Sequence, residues 1–141
     1  MKKTYRRSFD QIAEIVADTE RFFAAEHLDP GLRMKVDLSL EELFVNMVTY
    51  NTETDRDIQL EMRRVTGGVE VCLTDYDVER FDPTIERQVD IDAPLAKRMP
   101  GGLGLYLVLK MADSIHYEYH DRVSKITFRN IVAEGTAADH V

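Results

Sequence analysis

The chain has 141 residues, 44% of them hydrophobic and 31% charged, a composition that predicts one compact domain with an apolar core. Its 18 basic and 26 acidic residues give a net charge of −8, which argues against direct binding of nucleic acid or of a membrane surface, because the summed field repels phosphate groups. The single cysteine, Cys72, excludes a disulfide framework and favours a reducing compartment. No apolar stretch reaches the roughly 20 residues that a membrane-spanning helix needs, so we expect a cytoplasmic protein.

Hydrophobic periodicity predicts long helices first, then a hairpin, a buried helix and a second pair of strands. In chain order, the predicted elements are a strand at 3–8, helices at 9–27 and 30–51, strands at 58–64 and 69–74, a helix at 104–112, and strands at 114–119 and 125–131. Asp10 is the expected N-cap of the first helix, and Thr66-Gly67-Gly68 is the expected hairpin turn. The sum is an α+β fold, a two-layer sandwich in which a mixed, mostly antiparallel sheet is covered on one face by about three helices.

Two segments fall outside this regular pattern. Residues 75–100 hold three of the four prolines and many charges, and a loop of that length inside a compact domain is usually functional. Residues 133–141 are small and polar, so we expect a domain at 1–132 followed by a flexible C-terminal tail.

A glycine cluster, Gly101-Gly102-Leu103-Gly104-Leu105, leads directly into the predicted buried helix. Glycines at three of four positions carry a cost in conformational entropy, so the backbone there must have a special requirement. One interpretation is that N–H groups at the helix N-terminus face a phosphate. The other is a tight junction between loop and helix, and the cluster alone leaves both open.

Glu42 and Asn46 are four residues apart in the second predicted helix, so they lie on one face. An amide oxygen is a suitable ligand for Mg²⁺, and a carboxylate one turn earlier can act as a base. The alternative is an exposed polar stripe with an incidental asparagine. We expect Glu41 to face solvent.

Asp75 ends an apolar strand, and Phe81-Asp82-Pro83 follows it. A carboxylate at this place can accept a hydrogen bond from an exocyclic amine such as that of adenine. Aspartate is also ordinary in a turn at the end of a strand, so this signal alone favours the structural interpretation.

Taken in order, these three signals resemble the histidine-kinase-like (GHKL) ATPases. More narrowly, the segment from Glu42 to Asn46, the tripeptide Phe81-Asp82-Pro83 and the glycine segment 101–108 resemble the bacterial anti-sigma-factor serine/threonine kinases. The resemblance covers about residues 3–131, and its most specific part is the glycine segment together with Met111-Ala112-Asp113.

The resemblance assigns a role to each matching position. It implies that Asn46 binds Mg²⁺, that Glu42 is the general base and that Asp75 recognises adenine. The phosphate-facing residues that it implies are Gly101, Gly102 and Gly104, with the backbone of Leu103 and Leu105. It also places the ATP lid at 90–100, where Arg98 or Lys97 would neutralise γ-phosphate charge.

The implied function is an anti-sigma regulatory protein with ATP-dependent serine kinase activity toward a small antagonist, the anti-anti-sigma protein. ATP and Mg²⁺ are the implied cofactors, a sigma factor and the antagonist are the implied partners, and homodimers are common in the family. One departure is Asp77, which stands where the family usually has glycine. It supports an alternative, a non-catalytic partner-binding module of the same fold that has lost efficient nucleotide binding.

Overall fold

The computed structural model describes residues 1–79, 108 and 110–132. The elements within them are β1 (Lys2–Tyr5), α1 (Gln11–Ala25), α2 (Arg33–Tyr50), β2 (Ile58–Val65), β3 (Gly68–Tyr76), β4 (Ser114–His120) and β5 (Val123–Ile131), with a 3-10 turn at Pro30–Leu32 before α2. Residues 108, 110 and 111 are helical and belong to the end of the helix predicted at 104–112. The rest of that helix, most of the long loop and the tail lie outside the described residues.

The five strands form one sheet in the order β1-β2-β3-β5-β4. The α+β class is confirmed, and β1 lies at an edge of the described sheet. The expectation of a mixed sheet is not met in this part of the chain, because every pairing between the described strands is antiparallel. Hairpin connections β2–β3 and β4–β5 produce this arrangement, since a short turn can join only antiparallel neighbours.

The core lies between one face of the sheet and the two helices. Cross-strand register puts Val71 between Met62 and Phe128, and all three side chains are buried. From the helices, the fully or almost fully buried apolar residues include Ile15, Phe23, Val36, Leu40, Leu43, Phe44 and Met47. Burial of a side chain of this size contributes roughly 1.5–3 kcal/mol to folding, so this layer holds α1 and α2 on the sheet.

The start of the chain differs from the prediction in two respects. β1 ends at Tyr5 rather than at Ser8, because the chain turns there and the amide of Ser8 donates to the carbonyl of Arg6 at 2.8 Å. Asp10 is the N-cap residue of α1, as predicted, but its side chain makes no capping hydrogen bond. Instead, the amide of Gln11 donates to the carbonyl of Ser8 at 3.1 Å, so a backbone turn begins the helix.

Cys72 is buried in β3 and its Sγ lies 3.9 Å from Oγ1 of Thr74, which is the environment of a packing residue. Within the ranges that the structure describes, no helix has both the length and the apolar character needed to cross a bilayer.

Candidate functional site

The side chain of Asn46 lies near the C-terminal end of α2 and is only 6% exposed. Its Nδ2 donates to the backbone carbonyl of Glu42 at 2.6 Å, which fixes the amide along the helix axis. Its Oδ1 is buried and accepts no hydrogen bond from the described residues. A buried amide oxygen without a donor costs free energy. Among the described residues, Oδ1 of Asn130 and Oγ of Ser39 are buried without a partner as well. An oxygen of this kind fits Mg²⁺, which prefers oxygen ligands.

Glu42 lies one turn before Asn46 and is half-buried, whereas Glu41 is exposed as predicted. Burial raises the pKa of the Glu42 carboxyl above its ordinary value of 4.5, and the nearby charge of Glu41 raises it further. A carboxylate with a raised pKa is a stronger proton acceptor, which is the property that a general base requires.

Asp75 is the penultimate residue of β3 and has no exposed surface. Its Oδ1 accepts from Nη1 of Arg7 at 2.5 Å, and its Oδ2 accepts from Nη2 of Arg7 at 3.1 Å. Oδ2 also accepts from Nδ2 of Asn51 at 2.7 Å. Arg7 and Asn51 therefore engage both oxygens of the carboxylate that the sequence predicts to recognise adenine.

Arg7 has a second task at the same place. Its Nη2 donates to the carbonyls of Met47 at 2.9 Å and Asn51 at 3.2 Å, and its Nη1 donates to the carbonyl of Arg56 at 3.1 Å. The last carbonyls of a helix have no partner within the helix and carry partial negative charge, so a guanidinium stabilises them. Arg7, two residues after the end of β1, thus connects this part of the chain to the end of α2 and the end of β3.

Sequence reasoning missed Arg7 and Asn51. Arg7 lies beside Arg6 in a charged segment, and Asn51 belongs to a polar loop, so neither position carries a local signal. Since 68 residues separate Arg7 from Asp75, only the tertiary fold brings them together.

As arranged here, the base-recognising end of the predicted site does not fit adenine, because Asp75 presents no exposed oxygen to an exocyclic amine. The metal-binding end does fit, because Oδ1 of Asn46 has no hydrogen-bond partner among residues 1–79, 108 and 110–132. The two ends of the site therefore differ in how closely they match the resemblance.

Asp77 has a φ of +59°, the left-handed conformation that favours glycine. Its Oδ1 accepts from Nε of Arg122 at 2.9 Å, and its carbonyl accepts from Nη2 of Arg122 at 3.3 Å. The aspartate therefore adopts the backbone conformation of the residue that it replaces and directs its carboxylate to the β4–β5 turn.

The end of the third helix is fixed on β5 through three hydrogen bonds. Asn130 Nδ2 donates to the carbonyl of Met111 at 3.1 Å, and the amide of Asp113 donates to the carbonyl of Arg129 at 2.9 Å. The amide of Ile131 donates to Oδ2 of Asp113 at 2.7 Å. These contacts position the exit of the helix that the glycine segment is predicted to open.

Several predicted site residues lie outside the described residues, so their positions stay predictions. They are Lys97, Arg98, Gly101, Gly102, Leu103, Gly104, Leu105 and the tripeptide Phe81-Asp82-Pro83. Within the described ranges, no group of three or more His, Cys, Asp or Glu side chains is arranged to hold a metal ion. A metal at Asn46 would therefore need further ligands from a bound phosphate or from water, as is usual for Mg²⁺.

Comparison with known proteins gives a family match over most of the chain. The profile described as histidine kinase-like ATPase domain matches residues 6–130. No curated protein sequence matches the chain.

Among solved structures, the RsbU and RsbW domains of a Mycobacterium tuberculosis protein align with a TM-score of 0.66 at 12% identity, over 93% of this chain and 32% of that one. The SiaB-SiaC complex from Pseudomonas aeruginosa aligns with a TM-score of 0.55 at 15% identity, over 94% of this chain and 88% of that one. The histidine kinase AdeS from Acinetobacter baumannii aligns with a TM-score of 0.50 at 12% identity, over 93% of this chain and 67% of that one. The chain spans about a third of the length of the first of these proteins. At such identities the likeness shows the fold alone.

Proposed function

The chain belongs to the histidine kinase-like ATPase domain family, and we propose that it binds Mg-ATP and phosphorylates a small antagonist protein on serine while it also binds a sigma factor. The observation that carries the nucleotide part is the buried Oδ1 of Asn46, which accepts no hydrogen bond from the described part of the chain. An unpaired polar atom in a helix interior is costly unless a ligand completes it, and this one stands at the position that matches the magnesium-binding asparagine.

Glu42 supplies the proposed chemistry on the protein side. When bound, Mg-ATP supplies the γ-phosphoryl group, and ADP leaves with the electron pair of the broken P–O bond. Glu42 takes the proton of the attacking serine hydroxyl, and its raised pKa suits that step. Asn46, held by its hydrogen bond to the carbonyl of Glu42, keeps the metal-binding oxygen one helical turn from the base.

The assignment of partners rests on the family resemblance and on the proteins that are present in similar solved structures. One similar structure is the SiaB-SiaC complex, and another joins RsbU and RsbW domains. Both support an antagonist protein as a partner of this chain. The roles of the antagonist as substrate and of the sigma factor as the sequestered protein rest on the family resemblance alone. A homodimer and a location in the cytoplasm belong to the same proposal.

A second candidate function is a partner-binding module without catalysis. The contact of Arg7 with Asp75 favours it, because the carboxylate expected to recognise adenine is already occupied. In this alternative, the fold and the partner surface remain while nucleotide binding is weak or lost. It predicts that the antagonist and the sigma factor bind equally well with and without Mg-ATP.

Calorimetric titration with Mg-ATP tests whether the protein binds the nucleotide, which the proposed kinase activity requires. We expect saturable binding to the parent protein and at least tenfold weaker binding to Asn46→Ala. If millimolar Mg-ATP gives no heat of binding with the parent and Asn46→Ala behaves identically, the enzymatic proposal is wrong and the binding module is favoured.

Transfer of labelled γ-phosphate to a candidate antagonist, read as phosphoserine, tests the second step. Glu42→Gln should lose at least 100-fold in rate, since a positioned general base typically contributes about 10²–10⁴-fold. Glu41→Gln is the matched control, because it removes the same charge from the neighbouring exposed position. Equal loss in both variants would indicate an effect of charge rather than a base at Glu42.

A further inference from the structure

We infer that Arg7 determines how this protein recognises a nucleotide base: by occupying Asp75, it removes the acceptor that would distinguish the exocyclic amine of adenine. The inference rests on the nucleotide binding proposed above. It concerns a residue that lies at the opposite end of the chain from the glycine segment and that no sequence pattern singles out.

The carboxylate of Asp75 already has hydrogen-bond donors on both of its oxygens. Asp75 accepts two hydrogen bonds from Arg7 and one from Asn51, and its residue surface is completely buried. A carboxylate offers about four lone-pair sites, but a base amine must also reach the oxygen, and no surface of Asp75 is available to it.

An exocyclic amine of a base would have to compete with Arg7 for the carboxylate of Asp75. Arg7 gives Asp75 two charge-assisted hydrogen bonds in a fork, whereas a neutral amine can donate one bond to the same acceptor. Displacement would leave a largely buried guanidinium without its counter-charge, and that separation is strongly unfavourable. Adenine therefore cannot replace Arg7 at Asp75 at low cost.

The guanidinium of Arg7 is also held in place by the backbone. Three backbone carbonyls, those of Met47, Asn51 and Arg56, hold the same guanidinium. Movement of Arg7 away from Asp75 would break these bonds as well and would uncap the C-terminus of α2. Arg7 is therefore a fixed part of the site rather than a side chain that swings aside when a base arrives.

The chain offers a matched control at the next position. The Arg6 side chain is 70% exposed, and its nearest carboxylate, that of Asp10, lies 3.9 Å away. Arg6→Gln and Arg7→Gln change the net charge equally, but only the second variant releases Asp75. Glutamine ends two bonds earlier than arginine, so it cannot reproduce the fork.

The experiment compares two probes, ATP and purine riboside triphosphate, which lacks the exocyclic amine. Their dissociation constants are measured with Mg²⁺ by calorimetry on the full chain. We expect the two constants to agree within twofold for the parent and for Arg6→Gln, and to differ at least tenfold in favour of ATP for Arg7→Gln. Circular dichroism and a thermal melt verify that each variant is folded.

Each possible result of these titrations either supports or overturns the inference about Arg7. A parent that already prefers ATP by tenfold overturns the inference and leaves the proposed function intact. A parent that binds neither probe, with Arg7→Gln binding ATP, supports the inference and overturns the proposed function for the natural sequence. If Arg7→Gln folds without any gain in preference for ATP, the inference is wrong.

A second variant keeps the inference testable if Arg7→Gln does not fold. Arg7→Lys retains the charge but can serve only one oxygen of Asp75, so it should give a preference for ATP between those of the parent and of a full release. A Lys variant that binds both probes as the parent does would overturn the inference.

Discussion

Asp77 and Arg122 both adopt the left-handed conformation, with φ of +59° and +62°, and they face each other between the end of β3 and the β4–β5 turn. Their side chains form an ion pair at 2.9 Å, and the amide of Val78 donates to the carbonyl of Arg122 at 3.0 Å. Left-handed backbone is unfavourable for residues with a Cβ, so the pair offsets part of the strain that both positions carry.

Two replacements of Asp77 separate the contribution of the ion pair with Arg122 from the cost of the left-handed backbone at residue 77. Asp77→Gly loses an exposed ion pair, which contributes little to stability, and adds flexibility to the unfolded chain, but it relieves the strain at φ +59°. We expect a free energy of unfolding within about 1 kcal/mol of the parent. Asp77→Ala loses the pair and keeps the strain, so we expect a loss of about 1–2 kcal/mol. Urea denaturation measures both values.

The decisive result is which of the two variants, Asp77→Gly or Asp77→Ala, has the higher free energy of unfolding. If Asp77→Ala is as stable as Asp77→Gly, then the left-handed backbone carries no measurable cost. If both lose more than about 3 kcal/mol, the pair contributes far more than an exposed pair should.

The sequence predicts those features whose information is local. Helical periodicity places Glu42 and Asn46 on one face of α2, and turn chemistry places the hairpin at Gly67. The roles assigned to Glu42 and Asn46 come from the family resemblance and stay predictions. The partners of Asp75 could not be predicted in this way, because a buried ion pair depends on which distant residues the fold brings together. The absence of a side-chain hydrogen bond from Asp10 at the N-cap was not predictable either, since the backbone carbonyl of Ser8 accepts from the amide of Gln11 instead.

The pKa of Glu42 gives the phosphoryl-transfer reaction a pH dependence with a definite sign. A general base must be ionised, so we expect the rate to fall as pH decreases through a pKa above 4.5. The same shift acts on stability in the opposite direction. Because the folded state holds the proton more tightly, stability decreases as pH rises from 4.5 through the raised pKa. Glu42→Gln should therefore be more stable than the parent at neutral pH and equal to it in acid.

Thermal melts across pH, together with initial rates of transfer, check both signs. Glu41→Gln should lower the pKa of Glu42 toward its ordinary value, because it removes the neighbouring charge that raises it, and both pH dependences should then shift to lower pH. A Glu42→Gln variant that is less stable than the parent at neutral pH would show that the carboxylate has a favourable partner.

Asp18 gives the fold its expected sensitivity to acid. Burial alone would raise the pKa of Asp18, but hydrogen bonds from Lys3, Tyr5 and Arg21 outweigh it and hold the pKa below 3.8. The stability that this carboxylate contributes is therefore present above pH 3.8 and is lost as pH falls through the lowered pKa. Asp18→Asn should cost about 1–3 kcal/mol at neutral pH, because the remaining hydrogen bonds lose their charge assistance.

The test is urea denaturation of the parent and of Asp18→Asn from neutral pH down to pH 2. The difference in free energy of unfolding should shrink at the acid end. Asp10→Asn is the control, since its side chain is 69% exposed and pairs only at 3.9 Å. A difference between parent and Asp18→Asn that does not change with pH would show that the carboxylate is not ionised in the folded protein.

Gly68 begins β3 opposite Ile131, and the two strands approach so closely there that no side chain fits. A Cβ at Gly68 would lie 2.1 Å from the backbone oxygen of Asn130 and 2.8 Å from Cα of Ile131, so the backbone itself would have to move. We expect Gly68→Ala to lose stability at the upper end of the roughly 1–3 kcal/mol that overpacking costs.

Gly31→Ala is the matched control for this substitution. A Cβ at Gly31 would lie 3.1 Å from Oδ1 of Asp29, an atom at the end of a side chain that can shift. Alanine also reduces the entropy of the unfolded chain, so we expect a change between about 0.5 kcal/mol of loss and 1 kcal/mol of gain. Urea denaturation of both variants at the same pH gives the comparison. Equal stability of the two variants would mean that β3 and β5 can separate at Gly68 without cost, and the close approach would then not be needed to fix the sheet.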